Sequence, residues 1–272
     1  MTQLDTGTED LLAEVDDGVA VLTMNRPDRR NAMSEAMMAA MERILAAVEV
    51  DDAVGCVVLT GAGGAFCAGG DVKAMAQRPA GDGGHGVDAA VHRQRLRQRG
   101  TSGRLWQLPK PTIAAIGGPA AGAGLSLALA CDLRYAAEGA VLTTAFARVA
   151  FSGDYGGAWF LTRLVGTAKA RELYYFSDRL SAADAERLGI VSAVFPAADF
   201  DAEVRQRARR LADGPAIAYR YMKENLNRAE TSELGEFMDI EVSHHIHTGQ
   251  TEDHREAAKA FTERREPRFT GR

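Results

Sequence analysis

The sequence predicts an α/β fold, and three observations carry this prediction. Apolar, β-branched runs with the length of buried strands alternate with segments of helical spacing. Two of these runs end in glycine-rich turns, Ala65–Lys73 and Gly117–Gly124, which lead into helical segments. From Asp201 onward the pattern is helical almost throughout. We therefore expect a core of residues 1–200 followed by a helical region of residues 201–272.

The composition is that of a soluble globular protein. Of 272 residues, 46% are hydrophobic and 25% are charged, and the formal net charge of −5 gives no reason to expect nucleic-acid binding. No apolar run has the length of a membrane span, and Met1–Glu9 lacks the features of a signal peptide. Cys56, Cys67 and Cys131 show no CxxC spacing, which favours reduced, buried thiols. We expect a cytoplasmic protein without membrane or nucleic-acid partners.

The first predicted unit is a β-hairpin. In it, the turn Asp16-Asp17-Gly18 joins the strands Leu11–Val15 and Val19–Met24. Asn31 is placed to cap the next helix, whose apolar positions recur at helical spacing. A buried strand, Val54–Thr60, follows that helix.

The middle of the chain predicts parallel strands joined by right-handed crossovers. Glycine and proline are so dense in Arg78–Asp88 that this stretch is predicted to be a loop. Beyond it we expect a helix at Ala89–Leu105 and a strand at Thr112–Ile116. A helix at Leu125–Ala130 and a strand at Leu133–Ala136 continue the alternation.

The remaining elements before the helical region are short. Ala158–Leu164 has helical spacing, and Ser181–Gly189 is typical of a capped helix that ends at a glycine. Ile190–Phe195 is predicted to be a strand.

The two glycine-rich turns are the strongest functional signal that the residues give by themselves. Each is a predicted strand-to-helix turn with exposed backbone N–H groups, and two such turns brought together can hold one oxyanion. Donors aimed at developing negative charge are a major term in enolate and acyl chemistry. A plain surface connection is the alternative for either turn.

Seven short motifs follow one another in order along almost the whole chain. They are Met24–Pro27 with Asn31–Ala32, Leu59–Gly61, Phe66–Asp71, Ala130–Ala136, Arg163–Gly166, Leu180–Ala185 and Leu188–Val191. Together they resemble the crotonase family, the enoyl-CoA hydratases and isomerases. The resemblance implies a crotonase-like spiral of ββα units with a C-terminal helical trimerisation layer. It also implies acyl-CoA substrates and a homotrimer or dimer of trimers. Coenzyme A would enter as part of the substrate, with no permanently bound cofactor.

Carried over residue by residue, the resemblance places the oxyanion donors on the backbone N–H groups of Gly70 and Ala123. Alanine stands at 123 where glycine is commoner, and it is free of strain there provided its φ is negative. The stretch expected to contact CoA comprises Ala68, Gly69, Gly70, Asp71, Val72 and Lys73. The alternatives are that Asp71 caps a helix and that Lys73 is simply solvated.

The expected acids depart from the hydratase pattern. Of the two glutamates that hold water in hydratases, the first corresponds to Ser126 and the second falls at or near Phe146 in this chain. Asp154, in the segment Phe151–Gly157, resembles instead the acid of family isomerases, which include Δ3,Δ2-enoyl-CoA isomerases and the ring-epoxide isomerases of phenylacetyl-CoA breakdown. Such an acid would move a proton between carbons of the acyl chain.

An exposed aspartate is too weak a base for this chemistry, so Asp154 needs neighbours that desolvate it. The candidates are Phe146, Phe151, Tyr155 and Trp159. The alternative is that Asp154 is an exposed turn residue or the N-cap of the following helix.

The C-terminal helix carries the last candidates. By resemblance, Phe261, Arg264 and Arg265 help to close the CoA site, sometimes from a neighbouring subunit. The alternative is a helix that packs on the core, with basic residues that suit its last turn.

Two other constellations predict no chemistry. Ser126 lies in a sequence that imitates a hydrolase nucleophile elbow, but two other roles are favoured: a small hydroxyl that points into the site, or a bond to the preceding turn of its own helix. His244, His245 and His247 lack the spacing of a zinc site, so no metal is predicted.

The sequence thus predicts an enoyl-CoA isomerase that works through Asp154. The alternatives are a hydratase with a non-standard water-holding group, a non-catalytic CoA-binding relative, and a structural oligomer that only inherits the fold.

Overall fold

A computed structural model describes residues 1–71 and 86–272. Its main sheet has the strand order β1-β2-β3-β4-β5-β7-β10, and a small second sheet has the order β6-β8-β9. The strands are β1 (Thr2–Gln3), β2 (Leu11–Asp16), β3 (Val19–Met24), β4 (Cys56–Gly61), β5 (Thr112–Ile116), β6 (Ala120–Ala121), β7 (Leu133–Ala137), β8 (Val141–Thr143), β9 (Leu180–Ser181) and β10 (Ala193–Phe195).

The helices lie between these strands and after them. They are α1 (Glu35–Val50), α2 (Val87–Gln98), α3 (Arg104–Gln107), α4 (Ala123–Leu129), α5 (Gly157–Phe176), α6 (Ala182–Arg187), α7 (Phe200–Ala212), α8 (Ala216–Ala229), α9 (Leu234–Thr248) and α10 (Glu252–Glu263). The strands from β3 to β10 in the main sheet pair in parallel, so the predicted α/β class is confirmed.

The predicted hairpin is β2 and β3, which pair antiparallel with Asp16 opposite Val19. Both turn residues have positive φ, 48° at Asp17 and 76° at Gly18, as a two-residue type I′ turn requires. The hairpin is preceded by β1, which pairs with β2 and was not predicted.

The main sheet buries both of its faces. One face, with Leu22 and Leu59, packs in the large core with α1 and α4. The other face, with Val58 and Ile113, packs against Val204 of α7. Alternate residues of a strand point to opposite faces, which explains why β3 and β4 are apolar along most of their length.

Two predicted caps have different outcomes. Ser181 caps α6, since its side chain accepts a hydrogen bond from the Asp184 N–H, as predicted. The prediction for Asn31 was wrong: α1 begins at Glu35, and Ser34 caps it by accepting from the Met37 N–H. Asn31 has a φ of 58° and lies before the helix.

The predicted helix Ala89–Leu105 is split by a π-helical turn at Arg99–Gly103, which joins α2 to α3. The widening accompanies a close approach, because a Cβ at Gly100 would lie 2.5 Å from Glu42 Oε1 of α1. Residues 78–85 of the predicted loop lie outside the described residues. Val87 and Asp88 already belong to α2, so the loop was predicted to end too late.

Other boundaries differ from the prediction by a few residues. The strand predicted at Ile190–Phe195 starts only at Ala193, and the buried side chains of Ile190 and Val191 belong to the turn before it. Helix α5 runs well beyond Leu164, with a break at Gly166 (φ 76°, ψ 163°).

From Phe200 to Glu263 the chain is helical, as predicted. The division into residues 1–200 and 201–272 stays a prediction. Within the described part of the chain, no helix combines the length and apolar character needed to cross a bilayer.

Candidate active site

The two glycine-rich turns meet side by side. Cys67 of the first turn bridges to Ala120 of the second in parallel register. The Cys67 N–H donates to the Pro119 carbonyl (3.2 Å), and the Ala121 N–H donates to the Cys67 carbonyl (2.9 Å). The predicted juxtaposition of the turns is therefore present in the fold.

Glycines permit this close approach. A Cβ at Gly124 would lie 2.4 Å from the Cys67 carbonyl oxygen and 2.8 Å from its Sγ. A Cβ at Gly69 would lie 2.7 Å from the Ala121 carbonyl oxygen and 3.2 Å from the Ala123 nitrogen. Gly69 also has a φ of 84°, which side chains disfavour. Gly69, and with it Gly70, is thus held against the start of α4.

Neighbouring backbone groups are engaged, whereas the two proposed donors are not. The Gly69 carbonyl accepts from the Met33 N–H (2.8 Å), and the Gly122 N–H donates to the Thr143 carbonyl (3.1 Å). Within residues 1–71 and 86–272, neither the Gly70 N–H nor the Ala123 N–H donates a hydrogen bond. Two adjacent, unengaged donors are what an oxyanion site requires.

The alanine at position 123 is accommodated without strain. Positive φ falls on the preceding Gly122 (53°), and Ala123 itself is not among the positive-φ residues. An alanine at position 123 is free of strain only when its φ is not positive, and this is the case here.

Asn31 is a buried polar residue that holds the first turn in place. Its Nδ2 donates to the carbonyls of Ala62 and Ala65, both at 2.8 Å, and its Oδ1 accepts from the Arg26 N–H at 2.9 Å. The Cys67 thiol donates to the Asn31 carbonyl. Sequence reasoning assigned Asn31 to a helix cap and missed this role, although asparagine is enriched at positive φ in turns.

Only part of the expected CoA-contacting stretch lies in the described chain. The Asp71 carboxylate forms ion pairs with Arg29 (3.1 Å) and Arg26 (3.4 Å). The Ala68 N–H donates to the Arg30 carbonyl. Val72 and Lys73 lie outside the described residues.

Asp154 lies in a turn of unusual backbone conformation before α5. Gly153, Tyr155 and Gly156 all have positive φ, at 113°, 49° and 75°. Gly156 is the N-cap of α5 and no side chain caps the helix, so the capping alternative for Asp154 is wrong.

The Asp154 carboxyl is half-buried rather than exposed. Its Oδ1 is buried and, among the described residues, has no hydrogen-bond partner. Burial raises the pKa of this carboxyl to about 6. A buried, unsatisfied carboxylate oxygen costs free energy in the folded protein, and such costs are concentrated at functional sites.

Two tyrosines interact with this carboxyl. Burial, and further the charge of Asp154, raise the pKa of Tyr155 to about 12. Burial and then the Asp154 charge also raise the pKa of Tyr174. Both phenols therefore stay protonated beside Asp154.

The predicted aromatic neighbours have mixed outcomes. The ring of Phe146 stacks on that of Tyr174 at a centroid distance of 5.8 Å. Phe151 is 56% exposed, so it does not desolvate the carboxyl as expected. Trp159 packs edge-on against Trp106, with ring centroids 5.1 Å apart. Tyr174 was missed, because it lies twenty residues beyond Asp154 and no motif marks it.

Ser126 connects the Asp154 turn to the glycine turns. Its hydroxyl donates to the Gly122 carbonyl (3.3 Å), as predicted for a serine that bonds the preceding turn. A Cβ at Gly157 would lie 2.2 Å from Ser126 Oγ, so the start of α5 packs directly on the first turn of α4. The Asp154 turn and the two glycine-rich turns thus belong to one packed unit.

The C-terminal candidates are arranged around α10. Phe261 is 85% exposed, and Arg264 has positive φ just after the helix. Arg265 forms a bidentate ion pair with Glu256 (2.6 and 2.9 Å). Among the described residues, no hydrogen bond or ion pair links Phe261 or Arg265 to the glycine turns.

The histidines of α9 pack on α8. The ring of Tyr221 lies 4.4 Å from that of His244 and 5.3 Å from that of His247, centroid to centroid. No group of three potential metal ligands occurs in the part of the chain that the structure describes. The three cysteines are free and buried, as predicted.

The chain is similar in sequence to a family of known proteins. The family model Enoyl-CoA hydratase/isomerase matches residues 14–272. The chain belongs to this family. It is 38% identical over 264 residues to the 1,2-epoxyphenylacetyl-CoA isomerase of Escherichia coli (strain K12), covering 97% of this chain and 99% of that one. It is 33% identical to 4-chlorobenzoyl coenzyme A dehalogenase-2 of an Arthrobacter species, over 85% of this chain and 82% of that one.

Solved structures of family members have the same fold. The enoyl-CoA hydratase of Bacillus anthracis superposes with a TM-score of 0.88 at 32% identity, over 97% of this chain and 100% of that one. Family membership therefore assigns the chain to enzymes that act on CoA thioesters. The relatives carry isomerase, hydratase and dehalogenase names, so the reaction depends on the residues of each site.

Proposed function

We propose that the protein is an enoyl-CoA isomerase that shifts a double bond by proton transfer through Asp154. The observation that carries the proposal is the buried Oδ1 of Asp154, which lacks a hydrogen-bond partner among the described residues. A carboxyl pKa of about 6 lets the group accept a proton near neutral pH and give it back.

The reaction needs one base and one oxyanion site. The Asp154 carboxylate removes a proton from the α-carbon of a 3-enoyl-CoA thioester. The negative charge moves to the thioester oxygen, where the Gly70 and Ala123 N–H groups stabilise it. Asp154 then returns the proton to the γ-carbon, which leaves the double bond conjugated with the thioester. The carboxylate is regenerated, and no water is consumed.

The absence of a carboxylate at positions 126 and 146 does not fit an ordinary hydratase mechanism. Hydration of a double bond needs a held water with proton transfer in both directions, which two carboxylates accomplish. This chain has Ser126 and Phe146 where the resemblance implies those acids. The hydratase name of several relatives keeps hydration as the alternative that an experiment must distinguish.

Further parts of the proposal concern binding and assembly. Ala68, Gly69, Asp71, Val72 and Lys73 would contact CoA, and Phe261 with Arg265 would close the site from a neighbouring subunit. Four exposed apolar side chains recur at every fourth residue of α9, a pattern that favours burial in a subunit interface. They are Leu234, Met238, Val242 and Ile246. The resemblance implies that this assembly is a homotrimer or dimer of trimers. Sedimentation equilibrium tests this assembly, and a monomer would contradict it.

The deciding experiment compares 3-enoyl-CoA and crotonyl-CoA as substrates. Isomerisation of 3-enoyl-CoA creates the conjugated thioester and its absorbance, whereas hydration of crotonyl-CoA removes that absorbance. We expect the first signal and no second one. In Asp154→Asn, the isomerase kcat should fall by about 10²- to 10⁴-fold, since that is the usual contribution of a general base.

Asp199→Asn is the matched control. Asp199 is an exposed aspartate at the start of α7 whose side chain makes no capping hydrogen bond, so its variant should keep full activity. Full activity of Asp154→Asn would disprove the proposal. Loss of crotonyl-CoA absorbance with the wild-type protein would identify a hydratase. Binding of CoA thioesters without turnover would point to a non-catalytic CoA-binding relative, and the absence of binding would point to a structural oligomer.

A further inference from the structure

Tyr174 supports the turn that carries the proposed base. It lies in α5 after the break at Gly166, so the helix returns its ring to the turn that precedes the same helix. A Cβ at Gly153 would lie 3.1 Å from the Tyr174 ring and 3.6 Å from its hydroxyl oxygen. A Cβ at Gly157 would lie 2.8 Å from the same hydroxyl oxygen. The tyrosine therefore lies close to Gly153, just before Asp154, and to Gly157, three residues after it.

The ring itself is held from the other side. Phe146 stacks on it at 5.8 Å with an angle of 17° between the planes, and this contact restricts the ring to one orientation. The Ser126 hydroxyl lies 2.2 Å from the Gly157 Cβ position. The Tyr174 and Ser126 hydroxyls thus both approach Gly157, from α5 and from α4.

A buried carboxylate oxygen and a phenol lie near each other in this part of the molecule. The Tyr174 main-chain carbonyl accepts from the Ser177 hydroxyl. Among the described residues, however, the Tyr174 phenol forms no hydrogen bond. Asp154 Oδ1 is buried without a partner in the same part of the chain. An unpaired donor and an unpaired acceptor therefore lie in one partly buried site, where a hydrogen bond to an ionised group is worth more than at the surface.

We propose that Tyr174 is a positioning residue for Asp154: its ring supports the turn 153–157, and its hydroxyl donates a hydrogen bond to the carboxylate when Asp154 is ionised. The catalytic consequence of this inference rests on the proposed function, whereas the packing of Tyr174 against Gly153 and Gly157 does not. Tyr155, in the same turn, also interacts electrostatically with the Asp154 carboxyl. Arg97 of α2 and the Cys67 thiol interact electrostatically with Tyr155.

The test is Tyr174→Phe, which keeps the ring and removes the hydroxyl. Loss of a donor to the ionised form disfavours that form, so the pKa of Asp154 should rise by about one unit. The acid limb of the kcat/KM profile should move upward by the same amount, while KM above the limb stays unchanged. Tyr175→Phe is the matched control, because Tyr175 is the adjacent residue and is 71% exposed.

A second measurement does not depend on the substrate. The Asp154 carboxyl carbon is titrated by ¹³C NMR in the wild type, Tyr174→Phe and Tyr175→Phe, with Asp154→Asn used to assign the signal. An upward shift in Tyr174→Phe alone supports the inference, and titration curves that coincide with the wild type overturn it. If Asp154→Asn keeps full isomerase activity, the proposed function fails, and the NMR titration still decides the role of Tyr174.

Discussion

The two parts of the candidate site differ in kind: one consists of backbone groups and the other of a side chain. The proposed oxyanion donors are the backbone N–H groups of Gly70 and Ala123, and their placement depends on how closely two turns pack. The proposed base is one side chain, Asp154, and its chemistry depends on what surrounds it. The geometry of the first part therefore depends on how the backbone packs, and the pKa of the second depends on how far its carboxyl is desolvated.

This difference determines which substitutions each part tolerates. Ala123 contributes only its N–H, so its methyl group is neutral where φ is negative. Gly124 contributes no donor, yet its hydrogen atom stands where a methyl group would collide with Cys67. For Asp154 the reverse holds under the proposed mechanism, because the carboxyl group itself would do the chemistry and its solvation sets the pKa.

After Asp154→Asn, the largest expected effect comes from separating the two turns with Gly124→Ala. The new Cβ would lie 2.4 Å from the backbone oxygen of Cys67, so one turn must move. Loss of oxyanion alignment should lower kcat/KM by about 10²-fold or more, and overpacking should reduce the free energy of unfolding by about 1–3 kcal/mol. Enzyme assays and denaturant unfolding measure both.

The control for this substitution is Gly139→Ala. Gly139 lies in an exposed turn where a Cβ meets nothing within 4 Å, so neither quantity should change. Wild-type activity and stability of Gly124→Ala would show that the turns are not packed as described.

The second prediction concerns the pH dependence of the base. Asp154 must be ionised to accept a proton, and burial places its pKa at about 6. The kcat/KM value should therefore be constant at higher pH and fall about tenfold per unit below that value. Circular dichroism over the same range shows whether the protein stays folded. An unchanged kcat/KM down to the ordinary pKa of aspartate would indicate that Asp154 is not the base.

The folded protein should be less stable when Asp154 is ionised. A carboxyl whose folded-state pKa is raised favours folding fully below its unfolded pKa of 3.8, and this contribution is lost as the pH rises through about 6. Asp154→Asn should thus raise the free energy of unfolding at neutral pH by about 2 kcal/mol, and by less in acid. Denaturant unfolding at both pH values measures the difference. A variant less stable than the wild type at neutral pH would contradict this.

The sequence predicted those parts of the molecule that local patterns determine. The hairpin at Asp17 and Gly18 follows from turn chemistry, the cap at Ser181 follows from a short-range hydrogen bond, and strand β5 follows from its buried run. The family resemblance pointed to Gly70 and Ala123, and the structure shows their N–H groups unengaged within the described residues.

What the sequence could not predict depends on contacts between distant segments. Asn31 makes its side-chain hydrogen bonds to Ala62 and Ala65, more than thirty residues away. Gly100 interrupts a helix because Glu42 of another helix approaches it. Tyr174 lies against the Asp154 turn after a break in α5 at Gly166, which no local pattern around Asp154 indicates. In each case the local pattern permits several outcomes, and tertiary packing selects one.

The smallest expected effect is that of Ala123→Gly, and it separates the two parts of the site most clearly. The backbone donor is unchanged, so kcat/KM should stay within about twofold of the wild type, in contrast to Gly124→Ala one residue later. The cost should appear in stability instead, because glycine in a helix is about 0.5–1 kcal/mol less favourable than alanine. Denaturant unfolding detects this loss, and the isomerase assay detects any effect on the donor. If Ala123→Gly reduced kcat/KM as strongly as Gly124→Ala, the methyl group itself would contact the substrate. The oxyanion part of the site would then depend on a side chain, as the base does.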